Sequence, residues 1–174
     1  MFPLEHLLVA AAPVVGYVLV VDRRVPTPRL LAVVFVGSQF PDLVDKPLAH
    51  TVGLLPTGRV FMHSLPFALP LSALVLAYAQ QTGRRRLGGA FVFAYFSHLL
   101  ADHYQTLLAQ PPRIPSNLLW PLVPAARKPL IPHWGGAAAL NVRLWTMFSV
   151  VVLAIVTYEV VRDVVEHVGP ASKK

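Results

Sequence analysis

The chain has 174 residues, of which 55% are hydrophobic and only 13% charged, with 15 Lys and Arg against 8 Asp and Glu. A soluble globular domain carries roughly 25% charged residues, so this composition excludes an ordinary water-soluble fold and points to lipid as the solvent for most of the chain. Cysteine is absent, which removes disulfides and thiolate metal sites and leaves His, Asp and Glu as the only candidate ligands.

The N-terminal residues carry Glu5 and His6 but no Lys or Arg ahead of the first apolar run. They lack the charged start of a signal peptide and are read as part of the fold. Apolar runs follow at 7–21, 30–40, 60–79, 87–108 and 144–161. A membrane span needs roughly 20 apolar residues. The last three runs approach that length, the first does so if residues 1–6 are counted, and the second needs extension from 28 to about 43. The segment 111–141 mixes Pro with Trp120, Trp134, Arg127 and Lys128, a composition suited to an interfacial or re-entrant loop. The expectation is therefore an all-α integral membrane bundle of about five transmembrane helices with an interfacial loop, forming one domain over 1–168 with a flexible tail at 169–174.

The basic residues cluster between apolar runs, where they anchor loops against anionic headgroups and set orientation; nucleic acid is not expected as a partner. If the first helix runs inward, nine basic residues (Arg23, Arg24, Arg29, Arg84, Arg85, Arg86, Arg162, Lys173 and Lys174) fall on the cytoplasmic side and six on the other. In that topology His6, Asp42, Asp45, His63, His98 and Asp102 all fall at one level, on the extracytoplasmic side. Ionisable side chains at membrane depth are costly unless they face the bundle interior and pair, so their convergence reads as a site.

The sharpest local pattern is His98-Leu-Leu-Ala-Asp102, whose i, i+4 spacing stacks an imidazole and a carboxylate on one helical face, where both can reach one cation. It fits equally a His–Asp hydrogen bond joining two helices. The neighbouring His103 points to another face and reads as interfacial. Asp42 and Asp45 lie one turn apart if the helix persists; close carboxylates need a cation, a proton or a metal, and Lys46 is at hand for one of them. Arg59 stands one turn before His63 if that stretch is helical, placed either to clamp an anionic group or to snorkel. Pro66 and Pro70 predict a kink just past His63. His50, His133 and His167 are assigned no chemistry.

These segments resemble a known family. Gly37-Ser38-Gln39-Phe40-Pro41-Asp42-Leu43-Val44-Asp45, then Arg59 with Met62-His63-Ser64-Leu65, then Phe96-Ser97-His98-Leu99-Leu100-Ala101-Asp102, then Leu119-Trp120-Pro121-Leu122 are similar, in order and spacing, to the motifs of the membrane-bound, LexA-regulated metal-dependent hydrolases. Glu5-His6-Leu7-Leu8 resembles the start of that family. The resemblance covers most of 5–122 and implies a metal site related to that of zinc-dependent phospholipase C enzymes. Its ligands would be His6, Asp42, His63, His98 and Asp102, with Asp45 and Arg59 close by. The chain departs from the family pattern at Gly58 and Lys46, where His is frequent, and at Met62, where Thr is frequent.

The resulting expectation is a divalent metal, zinc by its oxygen and nitrogen donors, serving hydrolysis of a phosphoester or other lipid-linked ester. Asp45 or Asp42 would accept the proton of the attacking water and Arg59 would neutralise charge on a phosphoryl oxygen. Membrane lipids, among them an amphiphilic phosphoester substrate, are the expected partners. Two other classes stay open: a structural bundle glued by His–Asp pairs, and a small ion or proton transporter, against which the few polar residues of the inner helix halves count.

Overall fold

The computed structural model describes residues 3–111 and 114–125, with single helical positions at Met147, Val151, Tyr158 and Arg162. Among these residues the chain is all-helical, with four α-helices and one 3-10 turn and no strand: α1 Pro3–Val20, α2 Pro28–His50, α3 Leu65–Gln81, α4 Arg85–Leu107 and the turn Ser116–Leu119. The fifth apolar run, 144–161, lies outside the described residues except at Met147, Val151 and Tyr158, and the tail 169–174 lies outside them entirely.

Local chemistry explains where the helices begin and end. Thr27 caps α2, its hydroxyl accepting from the Leu30 amide at 3.3 Å, and Pro28 takes the first helical position, where a missing N–H does no harm. Apolarity alone ends the second run near residue 40, yet α2 continues to His50 through Pro41 and Pro47. Each interior proline removes a ladder bond, and the burial of Gly37, Ser38, Gln39, Pro41, Asp42, Leu43 and Asp45 against the rest of the bundle compensates. The third run shows the converse. Residues 60–64 look helical by composition but precede α3, because the amides of Val60 and Met62 donate to the Asp45 carboxylate and not to a helical ladder. Pro66 accordingly falls in the opening turn of α3 and Pro70 inside it. The turn from α3 to α4 uses Gly83 at φ +68°, a left-handed conformation that favours glycine.

α4 is the central element, packed against α1, α2 and α3, while α1 and α2 also touch each other. Its contact with α2 is the most extensive and depends on Gly37, where an added Cβ would lie 2.7 Å from the Phe91 carbonyl oxygen and 3.1 Å from the Ala94 Cβ. Ala10, Val34, Ala90 and Ala94 form the small-residue core where α1, α2 and α4 meet. Outward faces are apolar: Leu8, Val20, Leu74 and Leu100 are all more than half exposed, the pattern of a surface that meets hydrocarbon.

Among the described residues no helix is long and apolar enough to cross a membrane, so the expectation of five spanning helices is not carried by them. α3 has 17 residues, about 26 Å at 1.5 Å per residue against a hydrocarbon core of about 30 Å. α2 and α4 have 23 residues each, but Asp42, Asp45 and Lys46 interrupt one and His98, Asp102 and His103 the other.

Replacing Gly37 by alanine is expected to lower stability by about 1–3 kcal/mol through overpacking against the α4 backbone. Gly16→Ala, where the added methyl meets nothing within 4 Å, should leave stability unchanged or slightly raised. Thermal unfolding of the two variants in the same detergent checks the pair.

Candidate metal centre

Three helices and one loop deliver the polar cluster. α1 contributes His6 from its first turns, α2 contributes Asp42 and Asp45 one turn apart on a persisting helix, α4 contributes His98 and Asp102, and the segment between α2 and α3 contributes Arg59 and His63. All seven side chains named from the sequence come together. His6, His63, His98, Asp42 and Asp45 are at most 2% exposed, and the Asp102 side chain 1%.

The two central imidazoles are oriented by their outer nitrogens. His98 donates Nδ1–H to the Ser38 carbonyl at 2.6 Å; a carbonyl can only accept, so this fixes the tautomer with Nε2 facing inward. His63 Nδ1 lies 2.8 Å from Asp45 Oδ2. The same carboxylate accepts from Val60 N at 2.9 Å and Met62 N at 2.8 Å, and with His63 Nδ1–H donating to it the ring turns Nε2 inward. Both Nε2 atoms thus point at one volume, 3.2 Å apart.

Two carboxylates face that same volume. Asp42 Oδ1 and Asp102 Oδ2 each lie 3.6 Å from His63 Nε2, and Asp102 Oδ2 lies 3.8 Å from His98 Nε2. Donors held about 2.0–2.1 Å from one ion at tetrahedral corners are roughly 3.3 Å apart, so these separations fit a small divalent cation. His6, His98 and Asp102, and likewise Asp42, His63 and His98, each place three ligand atoms within 4.8 Å of one another. The two groups share His98, whose Nδ1 is already committed to Ser38. The donor set of neutral nitrogen and carboxylate oxygen suits zinc or a similar ion.

Around the donors lies a ring of supporting contacts. His6 Nε2 reaches Asp102 Oδ1 at 3.0 Å, and its ring stacks on that of His98 with centroids 4.0 Å apart. Arg59 Nε lies 3.2 Å from Asp102 Oδ2 with 41% of its side chain exposed, placing the guanidinium at the mouth of the site. Lys46 pairs with Asp42 at 2.7 Å, not with Asp45. Burial alone would lower the basicity of His63, but close contact with the Asp102 and Asp45 carboxylates and the negative charge of Asp42 raise it overall.

Asp45, expected as a proton acceptor, has its carboxylate turned to the loop before α3. It is fully buried and its two oxygens hold Val60 N, Met62 N and His63 Nδ1, which makes it a positioning residue. His103, read as interfacial, is instead 5% exposed, with Nδ1 against the Leu99 carbonyl at 2.8 Å and Nε2 accepting from Asn117 Nδ2 at 2.8 Å. His50 is the last residue of α2, not a loop residue, and His133 and His167 lie outside the described residues. The Arg59–His63 pair is not helical; its loop is held by Asp45, by Tyr95 donating its hydroxyl to Met62 O at 2.6 Å, and by Asn117 donating to Arg59 O at 3.1 Å. Trp120 packs against Phe61 and Phe67, ring centroids 6.4 and 5.8 Å away. Sequence reasoning missed Tyr95 and Asn117 as supports. Tyr95 precedes His98 by three residues on the same helical face, a signal that was available; Asn117 in its loop gave none.

The comparisons with known proteins complete the description. The family model described as YdjM inner membrane protein matches residues 1–165. The chain belongs to this family. The match establishes the membrane-family part of the resemblance and with it a membrane location. No curated protein and no solved structure matches the chain.

Asn117→Ala removes the donor that joins His103 Nε2 to the Arg59 carbonyl, and is expected to lower stability by about 1–3 kcal/mol, the penalty for stranding buried acceptors. Thermal unfolding of the variant beside an exposed-site control, Gln105→Ala, measures it.

Proposed function

We infer that this YdjM-family protein is a membrane-bound, metal-dependent hydrolase acting on a phosphoester or lipid-linked ester at the membrane interface, with His63, His98, Asp42 and Asp102 as the metal-holding residues and His6 beside them. The observation that carries the reading is the approach of two inward-facing Nε2 atoms to 3.2 Å with two carboxylate oxygens around them. Nitrogen and oxygen donors brought this close in a buried site need a proton or a metal cation among them. The similarity of the motifs to LexA-regulated hydrolases, and through them to phospholipase C enzymes, supports the reaction class, and the distribution of arginines supports an extracytoplasmic site.

A zinc-type ion, when bound, supplies Lewis acidity and lowers the pKa of a coordinated water toward neutrality. The chain's own residues do the rest. Ser38 O and Asp45 fix the two imidazoles, and Lys46 holds Asp42 so that Oδ1 faces inward. His6 steadies Asp102. Arg59, tethered through Nε and partly exposed, offers the remaining edge of its guanidinium to an anionic oxygen of a substrate arriving from the leaflet; five N–H donors leave enough for a bidentate grip. Asp42, one of the metal-holding carboxylates, is also the candidate proton acceptor.

The direct contact of His6 with Asp102 favours a second reading, in which His–Asp pairs only join helices. Elemental analysis separates them. Protein loaded with zinc and dialysed is expected to keep about one ion per chain, because His98 offers a single free nitrogen. The His98→Ala, Asp102→Ala double variant should keep none. Equal metal in both leaves only the structural reading. Asp45→Asn, which keeps its shape but weakens the hold on His63, should reduce metal affinity about 10–100-fold, measured by competition with a chromogenic chelator. Hydrolysis is tested by release of water-soluble phosphoester headgroup from phospholipid vesicles, with loss on chelation and recovery on adding zinc back.

A further inference from the structure

The far end of the bundle holds a feature that the metal centre does not use. Between α1, α2 and α4 lies a cavity of about 420 Å³ walled by Pro13, Val14, Tyr17, Leu30, Gly89 and Phe93, with Asp22 and Arg86 at its edge. That volume falls in the range of ligand pockets, about 300–1,000 Å³. Twelve residues of α4 separate Arg86 from His98, about 18 Å along the helix, so the cavity is distinct from the polar cluster.

Two adjacent glycines in α4 sharpen the point, since glycine inside a helix is destabilising by about 1 kcal/mol relative to alanine. Gly88 has a packing reason: an added Cβ would lie 2.4 Å from the Ala79 Cβ. Gly89 has none, for its added Cβ would meet nothing within 4 Å. What the missing side chain does leave is width in the cavity wall.

The edge is strongly basic. Arg86 donates to Asp22, with 65% of the arginine side chain exposed and 11% of the aspartate. Arg23, Arg24, Arg29 and Arg85 are exposed on the same end, and within 20–30 and 82–90 Asp22 is the only acid. An apolar slot with the Arg86 guanidinium at its edge and further exposed arginines in the adjoining segments is complementary to a molecule with a hydrocarbon tail and a negative head. Asp22 holds Arg86 by one nitrogen, and the fork keeps other donors for phosphate oxygens.

We propose that this groove is a binding site for an anionic glycerophospholipid, one acyl chain lying between α1, α2 and α4 and the phosphate resting on Arg86 and the arginines around it. The site anchors the arginine-rich end of the protein in the leaflet opposite the metal centre, and it does not depend on the hydrolase reading.

The test uses the full chain, delipidated in detergent and titrated with phosphatidylglycerol, phosphatidylcholine of the same acyl chains, or oleate, with bound molecules counted by native mass spectrometry. Phosphatidylglycerol is expected to bind one per chain and at least tenfold tighter than phosphatidylcholine, since each arginine near an anionic headgroup contributes about fivefold. Gly89→Leu, whose Cβ meets nothing within 4 Å and whose branch would occupy the slot, should weaken phosphatidylglycerol about tenfold. The Asp22→Asn, Arg86→Gln pair, which removes the charge contact without stranding the aspartate, should shrink the preference over phosphatidylcholine about fivefold. Thermal unfolding in detergent unchanged in both variants shows that the fold survives. Equal binding of the two phospholipids, oleate binding as tightly as phosphatidylglycerol, or indifference to Gly89→Leu would each overturn the proposal.

Discussion

The structure depends on one electrostatic constraint, the gathering of three imidazoles and three carboxylates that are almost wholly buried. A single uncompensated charge there would be destabilising by several kcal/mol, and each group is found in contact with a partner of opposite or complementary character. His63 stands at the middle, with Asp45 behind it and Asp42, Asp102 and His98 in front. The helix contacts follow from this need. α4 must reach α1 for His6 and α2 for Ser38 and Asp42, and the small residues Gly37, Ala90 and Ala94 allow the close approach.

The loop before α3 shows how such a centre is held without disulfides. Its amides are tied to a buried carboxylate of α2, its Met62 carbonyl to a tyrosine hydroxyl of α4, and its Arg59 carbonyl to an asparagine of the 3-10 turn. An irregular segment with satisfied backbone groups can lie beside a cavity at membrane depth, whereas one exposed to lipid cannot. The Trp120 ring against Phe61 and Phe67 closes the outer side. Ion binding would tighten an arrangement that the protein already holds nearly in place.

Much of this was legible in the sequence. His98 and Asp102 were readable because a helical repeat fixes which residues share a face, and the membrane setting because charge is scarce. The paths of α2 and of residues 60–64 were not, for tertiary bonds decide them: burial carries α2 past two prolines, and Asp45 draws amides out of a helix that composition alone would extend. The support that Asp45 gives the loop was hidden with them, since counting its partners requires knowing that Val60 and Met62 arrive there. The burial of His103 was hidden for a like reason, its partner Asn117 being 14 residues away in an irregular turn.

The contact between His6 and Asp102 joins residues 96 apart in the chain, and that separation bears on biogenesis. A polypeptide emerging from the ribosome presents His6 first, then the two aspartates of α2 and His63, and only at the end His98 and Asp102. Until α4 docks, no pair of facing Nε2 atoms exists and His6 lacks its carboxylate partner. Assembly of the polar cluster is therefore a late event that reports completed packing of α4 on α1 and α2.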